Sequence, residues 1–387
     1  MRRMAGAFRI VEHKMKKYRV GIIGCGAIFM VHAYPLHMIE NAEIRAVCDI
    51  KPQARETAAR LFNCDAYENY QDMLKRDDID VVHILTPHYL HAGMVIDSAN
   101  SGRHVLTEKP MSISVDEARA EIEAGKRNNV TIGVISQNRY NSASVAIKGA
   151  IESGSLGKVI GQRILLSWLK PDSYYEKSDW HGTWDKEGGS LMIDQAIHVM
   201  DLARWFVDDE IDSIQASYGN RNHPSIETED TAEGLIKYRN GVQSVFFATN
   251  NFTYNSPVLV ETHCEKGMAL MEFDRAQITY RDGKEINVIN NPNDTLDENA
   301  YQAFFNQPSS QVAINTLTEW GVVGLPITWK APRAYWGVTH IKQIRNFYES
   351  LDAGVQPDIT AEEAFKTQEM IMAIYESGRT QQAIQLH

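Results

Sequence analysis

Two clusters in this sequence carry side chains able to move protons. One is Glu108-Lys109-Pro110; the other is Asp194 and His198 within Gly188-Gly189-Ser190-Leu191-Met192-Ile193-Asp194-Gln195-Ala196-Ile197-His198. A lysine that precedes proline stands on a restricted backbone. Beside a cationic ring and partly desolvated, it loses proton affinity, and it can then act as a base or hold a substrate hydroxyl. Asp194 and His198 are spaced i, i+4, so on an α-helix they share a face. A carboxylate one turn from an imidazole can orient it or tune its pKa. Taken singly, each cluster also has a plain reading: a solvated surface lysine, and a helix salt link or capping pair.

A third feature concerns phosphate binding. Gly24-Cys25-Gly26-Ala27-Ile28-Phe29 follows an apolar strand and opens a helix. This is G-x-G-x-x-G with Phe29 in the last place. The first glycine permits the tight turn, the second admits a pyrophosphate to the backbone, and helix N-terminal amides face the anion. The third glycine ordinarily allows close helix–strand packing, so Phe29 requires a different packing there. Asp49 ends the next strand, where its carboxylate can bind both ribose hydroxyls and repel a 2′-phosphate. That favours NAD over NADP, with Lys51 nearby working the other way.

The elements that position these residues alternate. Strands are expected over 18–23, 43–48, 81–85, 104–106 and 131–135, and helices over 32–39, 52–62, 91–101 and from Ser114 to about 127. Ser114 to Glu117 has capping-box spacing, with Ser114 accepting from the N3 amide and Glu117 reaching back. The alternation predicts a doubly wound parallel sheet, with right-handed crossovers that bring all strand C-termini to one edge. The glycines, Asp49, Thr86-Pro87, Glu108-Lys109-Pro110 and Gln137-Asn138-Arg139-Tyr140 all lie at that ligand-binding edge. Further strands are expected over 160–169, 213–218, 232–238, 243–249, 258–264, 268–273 and 277–281, joined by turns such as Asn240-Gly241. They make a large, mostly antiparallel open sheet. One helix interrupts it over 191–206. Two more close the chain, over 340–352 and 361–375, and the weakly periodic 290–329 reads as an arm or lid. The fold class is therefore α/β: a Rossmann domain over 18–140, then an α+β domain over 141–387. Residues 1–17 form an extension with no assigned role.

Composition narrows the partners. The chain has 387 residues, 43% apolar and 23% charged, with net charge −11. A net acidic surface disfavours nucleic acid, whose phosphates need a basic face. The four cysteines are scattered without a C-x-x-C pair, so neither a disulfide framework nor a metal site is expected, and a reducing cytoplasm fits. No apolar run is long enough to suggest a membrane span, and the N-terminus lacks the apolar core of a secretory signal.

Taken together, Gly21 through Gly26, Asp49, Thr86-Pro87 with His91, Gly102 through Pro110 and Gly188 through Asp201 resemble the Gfo/Idh/MocA family of oxidoreductases. The resemblance implies bound NAD or NADP and a sugar, cyclitol or nucleotide-sugar substrate. It also implies a second-domain sheet that builds a homo-oligomer, a dimer or tetramer. Lys109, Asp194 and His198 match the family's catalytic lysine, aspartate and histidine. The expected roles are His198 as acid/base, Lys109 polarising the hydroxyl and Asp194 orienting the substrate. Cofactor contacts are expected from Gly24, Gly26, Ala27, Ile28, Asp49, Thr86, Pro87, His91, Glu108, Lys109 and Gln137. Substrate contacts are expected from Asn138, Arg139, Tyr140, Trp168, Lys170, Trp180 and Trp184 besides the catalytic three. Tyr174 and Tyr175 are further aromatic candidates. His88 stands where the family often has asparagine after Thr-Pro. His181 stands where arginine is frequent, which puts recognition of a charged substrate group in doubt.

Gln137 through Asn141, the Trp180–Trp184 stretch and Gly337-Val338-Thr339-His340 are similar to family members that oxidise C3 of glycosides or nucleotide sugars. Aromatic walls suit the apolar faces of a pyranose ring. Oxidation at C3 also acidifies the C2 hydrogen, so a later elimination of the anomeric group becomes possible. Three alternatives remain open at this point: an inositol or free-sugar dehydrogenase, a redox-neutral glycosidase that recycles NAD, and a non-catalytic sugar-sensing regulator.

Overall fold

The computed structural model describes residues 16–176, 178–273, 275–289 and 338–386. The arm expected over 290–329 and all but the last two residues of the N-terminal extension lie outside the described residues.

The first half runs β1 (Tyr18–Ile23), α1 (Phe29–Met38), β2 (Ala42–Cys48), α2 (Pro52–Phe62), β3 (Asp65–Tyr67), α3 (Tyr70–Leu74), β4 (Val81–Ile84), α4 (His88–Asn100), β5 (His104–Thr107), α5 (Val115–Asn128) and β6 (Ile132–Val134). The six strands form one parallel sheet in the order β3-β2-β1-β4-β5-β6. The order reverses between β1 and β4, and ligands bind at such a switch point. Helices α1 and α4 begin three residues earlier than the periodicity predicts. In α1 the reason is burial: residues Phe29 through Leu36 are all buried, so no polar stripe marks its start. Elements β3 and α3, unread in the sequence, are too short to show a period. Ser114 caps α5 as expected by accepting from the Glu117 amide (3.2 Å), but Glu117 reaches the Ile113 amide (3.4 Å) and not that of Ser114.

A 3₁₀ turn (Gln137–Tyr140) leads into α6 (Ser142–Glu152), β7 (Val159–Ser167) and the short α7 (Asp172–Tyr175). A π-helical segment (Leu191–Ala196) then continues into α8 (Ile197–Val207). After it come β8 (Ile211–Gly219), β9 (Thr231–Tyr238), β10 (Gln243–Thr249), β11 (Leu259–Cys264), β12 (Gly267–Glu272), β13 (Arg275–Tyr280) and β14 (Glu285–Ile289), then α9 (Val338–Ala353), α10 (Ala361–Thr380) and β15 (Ile384–Gln385). The nine strands follow the order β14-β13-β12-β11-β7-β10-β9-β8-β15, antiparallel except where β10 runs parallel to β7.

The inner face of this sheet, α8 and α10 share one apolar core. Helix α9 returns to the Rossmann layer, where Ile344, Phe347 and Tyr348 pack with β1 and α1. The two layers are thus tied by the chain's last helices as well as by the segment after β6.

Candidate active site

The glycine turn has the shape its sequence predicts. Gly24 adopts φ +97°, and a Cβ there would lie 2.6 Å from the Leu85 carbonyl oxygen, so only glycine fits between β1 and β4. At Gly26 a Cβ would meet nothing within 4 Å, which leaves the backbone open to a ligand. Phe29 turns into the core edge-on to Phe62, with ring centroids 5.8 Å apart. Its burial contributes about 2 kcal/mol and takes the place of glycine-mediated contact. Asp49 accepts from the Cys25 amide and the Lys51 amide, both at 2.8 Å, which fixes its carboxylate beside the turn. Each oxygen keeps a lone pair for a ribose hydroxyl. The open glycine, the start of α1 and the anchored acid fit a dinucleotide pyrophosphate and ribose.

Thr86 and Pro87 border the same edge at the start of α4. His91 does not face it: its ring nitrogens lie 2.7 Å from the Pro110 and Thr86 carbonyl oxygens. Both nitrogens are spent inside the protein, so His91 staples the loops after β4 and β5 and is corrected from cofactor contact to loop positioning. Glu108 is likewise turned inward. It receives the Lys109 amide (3.1 Å) and contacts His32 Nε2 (3.1 Å) and His340 Nε2 (3.5 Å). His32 in turn meets His83 (2.9 Å), and His83 meets the Tyr348 hydroxyl (3.0 Å). Burial opposes ionisation of Glu108, yet the hydrogen bonds of His32 and His340 hold its carboxyl well below the usual range. The network anchors the residue next to Lys109. Gln137 is buried in the turn after β6, and its Oε1 has no partner among the described residues.

Lys109 and Asp194 meet directly. Lys109 Nζ donates to Asp194 Oδ1 (2.6 Å) and to the Asp194 carbonyl oxygen (2.8 Å). An ammonium has three donors, so one remains. Tyr174 donates to Asp194 Oδ2 (3.1 Å), and His88 Nε2 lies 3.9 Å from Oδ1. Burial opposes the Asp194 charge, but Lys109, His88 and His181 outweigh it and hold the carboxyl far below its ordinary value. His198 lines a narrow cavity together with Lys109 and Asn138. Burial first, and then the charge of Lys109, drive its pKa down to about 3, so the imidazole stands neutral.

The i, i+4 reading of Asp194 and His198 needs a correction. Asp194 lies on a π-helical turn and His198 on the α-helix that follows, so they do not share one α-helical face. The carboxylate orients Lys109, not the imidazole.

Among the expected substrate contacts, Trp180 reaches the site: its ring stacks on His181 (3.8 Å) and packs edge-on to His88 (4.8 Å). Asn138 borders the Lys109–His198 cavity with both amide atoms unpartnered among the described residues. Lys170 places Nζ 4.5 Å from the Tyr174 ring centre.

Three of the expected contacts are corrected. Arg139 grips Asp201 through two bonds (2.7 and 2.6 Å) and Glu363 (2.9 Å), so its guanidinium is committed to buried carboxylates and turned away from the pocket. The Tyr140 hydroxyl lies between Asn346 (3.1 Å) and Asp358 (3.0 Å). Trp184 donates to the Glu227 carbonyl and packs on Tyr218 and Tyr375, against the sheet. Trp168 packs on the core of the second domain.

Two members of the site were not among the expected contacts. His88 donates from Nδ1 to the Glu187 carbonyl (2.9 Å), and burial lowers its pKa to about 3. Glu187 is fully buried, with Oε2 receiving the Gly182 amide (2.5 Å). Burial, followed by the negative charge of Asp194, raises its pKa to about 9, so it stays protonated near neutrality. The unusual histidine after Thr-Pro was a usable signal for the first. Nothing in the sequence distinguishes Glu187 from other acids.

Residues 18–136 match the family model described as the Gfo/Idh/MocA oxidoreductase family, NAD-binding Rossmann fold, and residues 144–270 match the Gfo/Idh/MocA C-terminal domain. An inositol 2-dehydrogenase of Rubrobacter xylanophilus is 30% identical over 208 residues, 51% of this chain and 55% of that relative. A glucose-6-phosphate 3-dehydrogenase of Bacillus subtilis is 29% identical over 225 residues, 57% of this chain and 62% of that relative. The crystal structure of the WlbA dehydrogenase of Bordetella pertussis with NADH and UDP-GlcNAcA shares the fold: TM-score 0.79 at 24% identity, covering 96% of this chain and 98% of that one.

Proposed function

The chain belongs to the Gfo/Idh/MocA oxidoreductase family, whose relatives are NAD-binding sugar and polyol dehydrogenases, and from that premise we propose that it oxidises C3 of a pyranoside to a 3-keto sugar, using NAD. The observation that carries this is the Lys109–Asp194 pair, with one ammonium donor left over, beside a neutral His198. Bound NAD supplies the hydride acceptor; Gly24, Gly26, Ala27, Ile28 and Asp49 hold it, with Asp49 favouring it over NADP. The spare donor of Lys109 binds the reacting hydroxyl and stabilises negative charge on its oxygen. An imidazole nitrogen of His198 takes the hydroxyl proton. Its low proton affinity makes this step depend on Lys109, which must first acidify the hydroxyl. Asp194 holds Nζ in place through two contacts, and the Tyr174 hydroxyl holds Asp194. Trp180 and Asn138 line the sugar's approach.

The choice of C3 rests on the resemblance of the 137–141 and 180–184 stretches and on the glucose-6-phosphate 3-dehydrogenase relative. An inositol dehydrogenase is the second reading, favoured by the relative of 30% identity. Incubation with NAD or NADP and a panel of pyranosides, free sugars and myo-inositol separates them. The C3 reading expects NADH and a 3-keto product from pyranosides, faster with NAD. Turnover of myo-inositol alone would replace it.

The outer face of the second sheet exposes Ile160, Leu165 and Val245, which fits assembly into a dimer or tetramer through that face. Among the described residues no helix is long and apolar enough to cross a membrane. A cytoplasmic location is part of the same proposal.

A further inference from the structure

One lysine near the catalytic pair has, among the described residues, no carboxylate at ion-pair distance. Lys170 follows β7, is partly buried, and rests its ammonium on the Tyr174 ring at 4.5 Å. Among the described residues it pairs with no carboxylate within 4.0 Å. Lys148, the contrasting case, is buried with its Nζ 2.8 Å from Asp208 and 2.9 Å from the Trp205 carbonyl. An ammonium withdrawn from water without a counter-charge is unfavourable, and burial lowers the proton affinity of Lys170 accordingly.

The protein nevertheless builds a support for it. The Lys170 amide donates to the Asn250 carbonyl (2.9 Å), and its carbonyl oxygen meets His223 Nε2 (2.6 Å). His223 Nδ1 is anchored on the buried Asp230 (3.2 Å), which also accepts the Arg221 and Asn222 amides. The backbone of Lys170 is therefore fixed on both sides, and the direction of its side chain is set by the Tyr174 ring. The same tyrosine bonds Asp194 through its hydroxyl, so Lys170 is one side chain away from the catalytic pair.

The charges around it do not cancel. Asp194 is already committed to Lys109 at 2.6 Å. The second carboxyl of the pocket, Glu187, carries a proton near neutrality, and His88 and His198 stand neutral. Two ammonium groups therefore face one carboxylate.

We infer that the substrate carries an anionic substituent, a carboxylate or a phosphate, and that Lys170 is the residue that binds it. This rests on the sugar-oxidising reading above and names its substrate class. His181, at the place where an arginine is frequent, does not supply the positive charge. It packs on Trp180 and Tyr174 and bonds Ser178, so the cation comes from the loop after β7.

The test pairs neutral and charged sugars. Methyl glucoside is compared with methyl glucuronide, and glucose with glucose 6-phosphate and glucose 1-phosphate, with the wild type, Lys170→Met and Lys170→Arg. NADH formation is read first, and binding to the NAD-loaded protein is read separately by calorimetry. The expected result is at least a tenfold preference for one anionic member over its neutral partner. Lys170→Met should remove that preference, and Lys170→Arg should restore part of it. The glucuronide and phosphate arms show which anion is meant. Equal use and equal binding of neutral and charged members, or equal losses for both in Lys170→Met, overturns the inference while sugar oxidation stands. Lys170-dependent binding of a charged sugar without NADH upholds the inference and removes the oxidation reading.

Discussion

Asp194 and Asp201 stand on one helical stretch, and each holds a cation delivered from a loop after a Rossmann strand. Their surroundings differ. Asp201 receives both arms of the Arg139 guanidinium and the Thr367 hydroxyl, and Arg139 spends its remaining arm on Glu363, which Arg204 also grips. The side chains of that pair are 5% and 6% exposed. Asp194 takes one donor pair from Lys109 and one bond from Tyr174, the pair is 15% and 18% exposed, and Lys109 keeps a donor in hand. A buried ion pair whose removal on one side strands the other charge ties elements together. A pair with an unused donor at an open edge can act on something else. What separates architecture from chemistry here is burial: the Arg139–Asp201 pair is sealed among side chains, while the Lys109–Asp194 pair keeps an exposed side.

The largest expected effect breaks this comparison on its open side. Lys109→Met should lower kcat about 10³- to 10⁴-fold, roughly 4–5 kcal/mol of barrier, with a fall in the urea midpoint no deeper than that of Arg139→Met, because Asp194 keeps the Tyr174 bond and a partly exposed side. A Lys109→Met protein that turns over normally but unfolds early would reverse the two labels.

On the closed side, Arg139→Met leaves Asp201 buried without its partner. The expected cost is about 3–4 kcal/mol of unfolding free energy, read by urea denaturation, with kcat of the folded fraction changed only a few-fold. A kcat loss as deep as that of Lys109→Met would return Arg139 to the substrate site.

A third effect sharpens the contrast through pH. Glu187 has a folded pKa of about 9 against an unfolded value near 4.5. Below 4.5 both states hold the proton. As pH rises toward 9 only the unfolded chain releases it, so stability is lost across that window. Glu187→Gln lacks this slope. Between pH 5 and 9 the wild type should lose on the order of 5 kcal/mol more than the variant, measured by urea melts at both values. Parallel curves would mean that Glu187 is ionised in the folded protein.

Much of this organisation was legible in the sequence. Apolar strands such as Tyr18–Ile23 and Gln243–Thr249 have their expected limits, because alternation and turn residues bound them. Lys109, Asp194 and His198 were legible as types and spacings, and they do converge on one site. The spacing misled about which of them touch, since it presumes an α-helix and the chain makes a π turn. Arg139, Tyr140 and Trp184 follow strands or border the motif as site residues do. Their partners Asp201, Asp358 and Glu227 lie far along the chain, beyond any local pattern. Glu187 was invisible because its protonation depends on burial and on Asp194.

The measurement closest to the central claim follows a single hydrogen. A methyl pyranoside deuterated at C3 is incubated with NAD and the wild-type protein, and the recovered NADH is examined by NMR. Deuterium at C4 of the nicotinamide, with no label transferred in His198→Ala or Lys109→Met over the same time, is the predicted result. Unlabelled NADH from that substrate, with transfer instead from a sugar deuterated at another carbon, would contradict it.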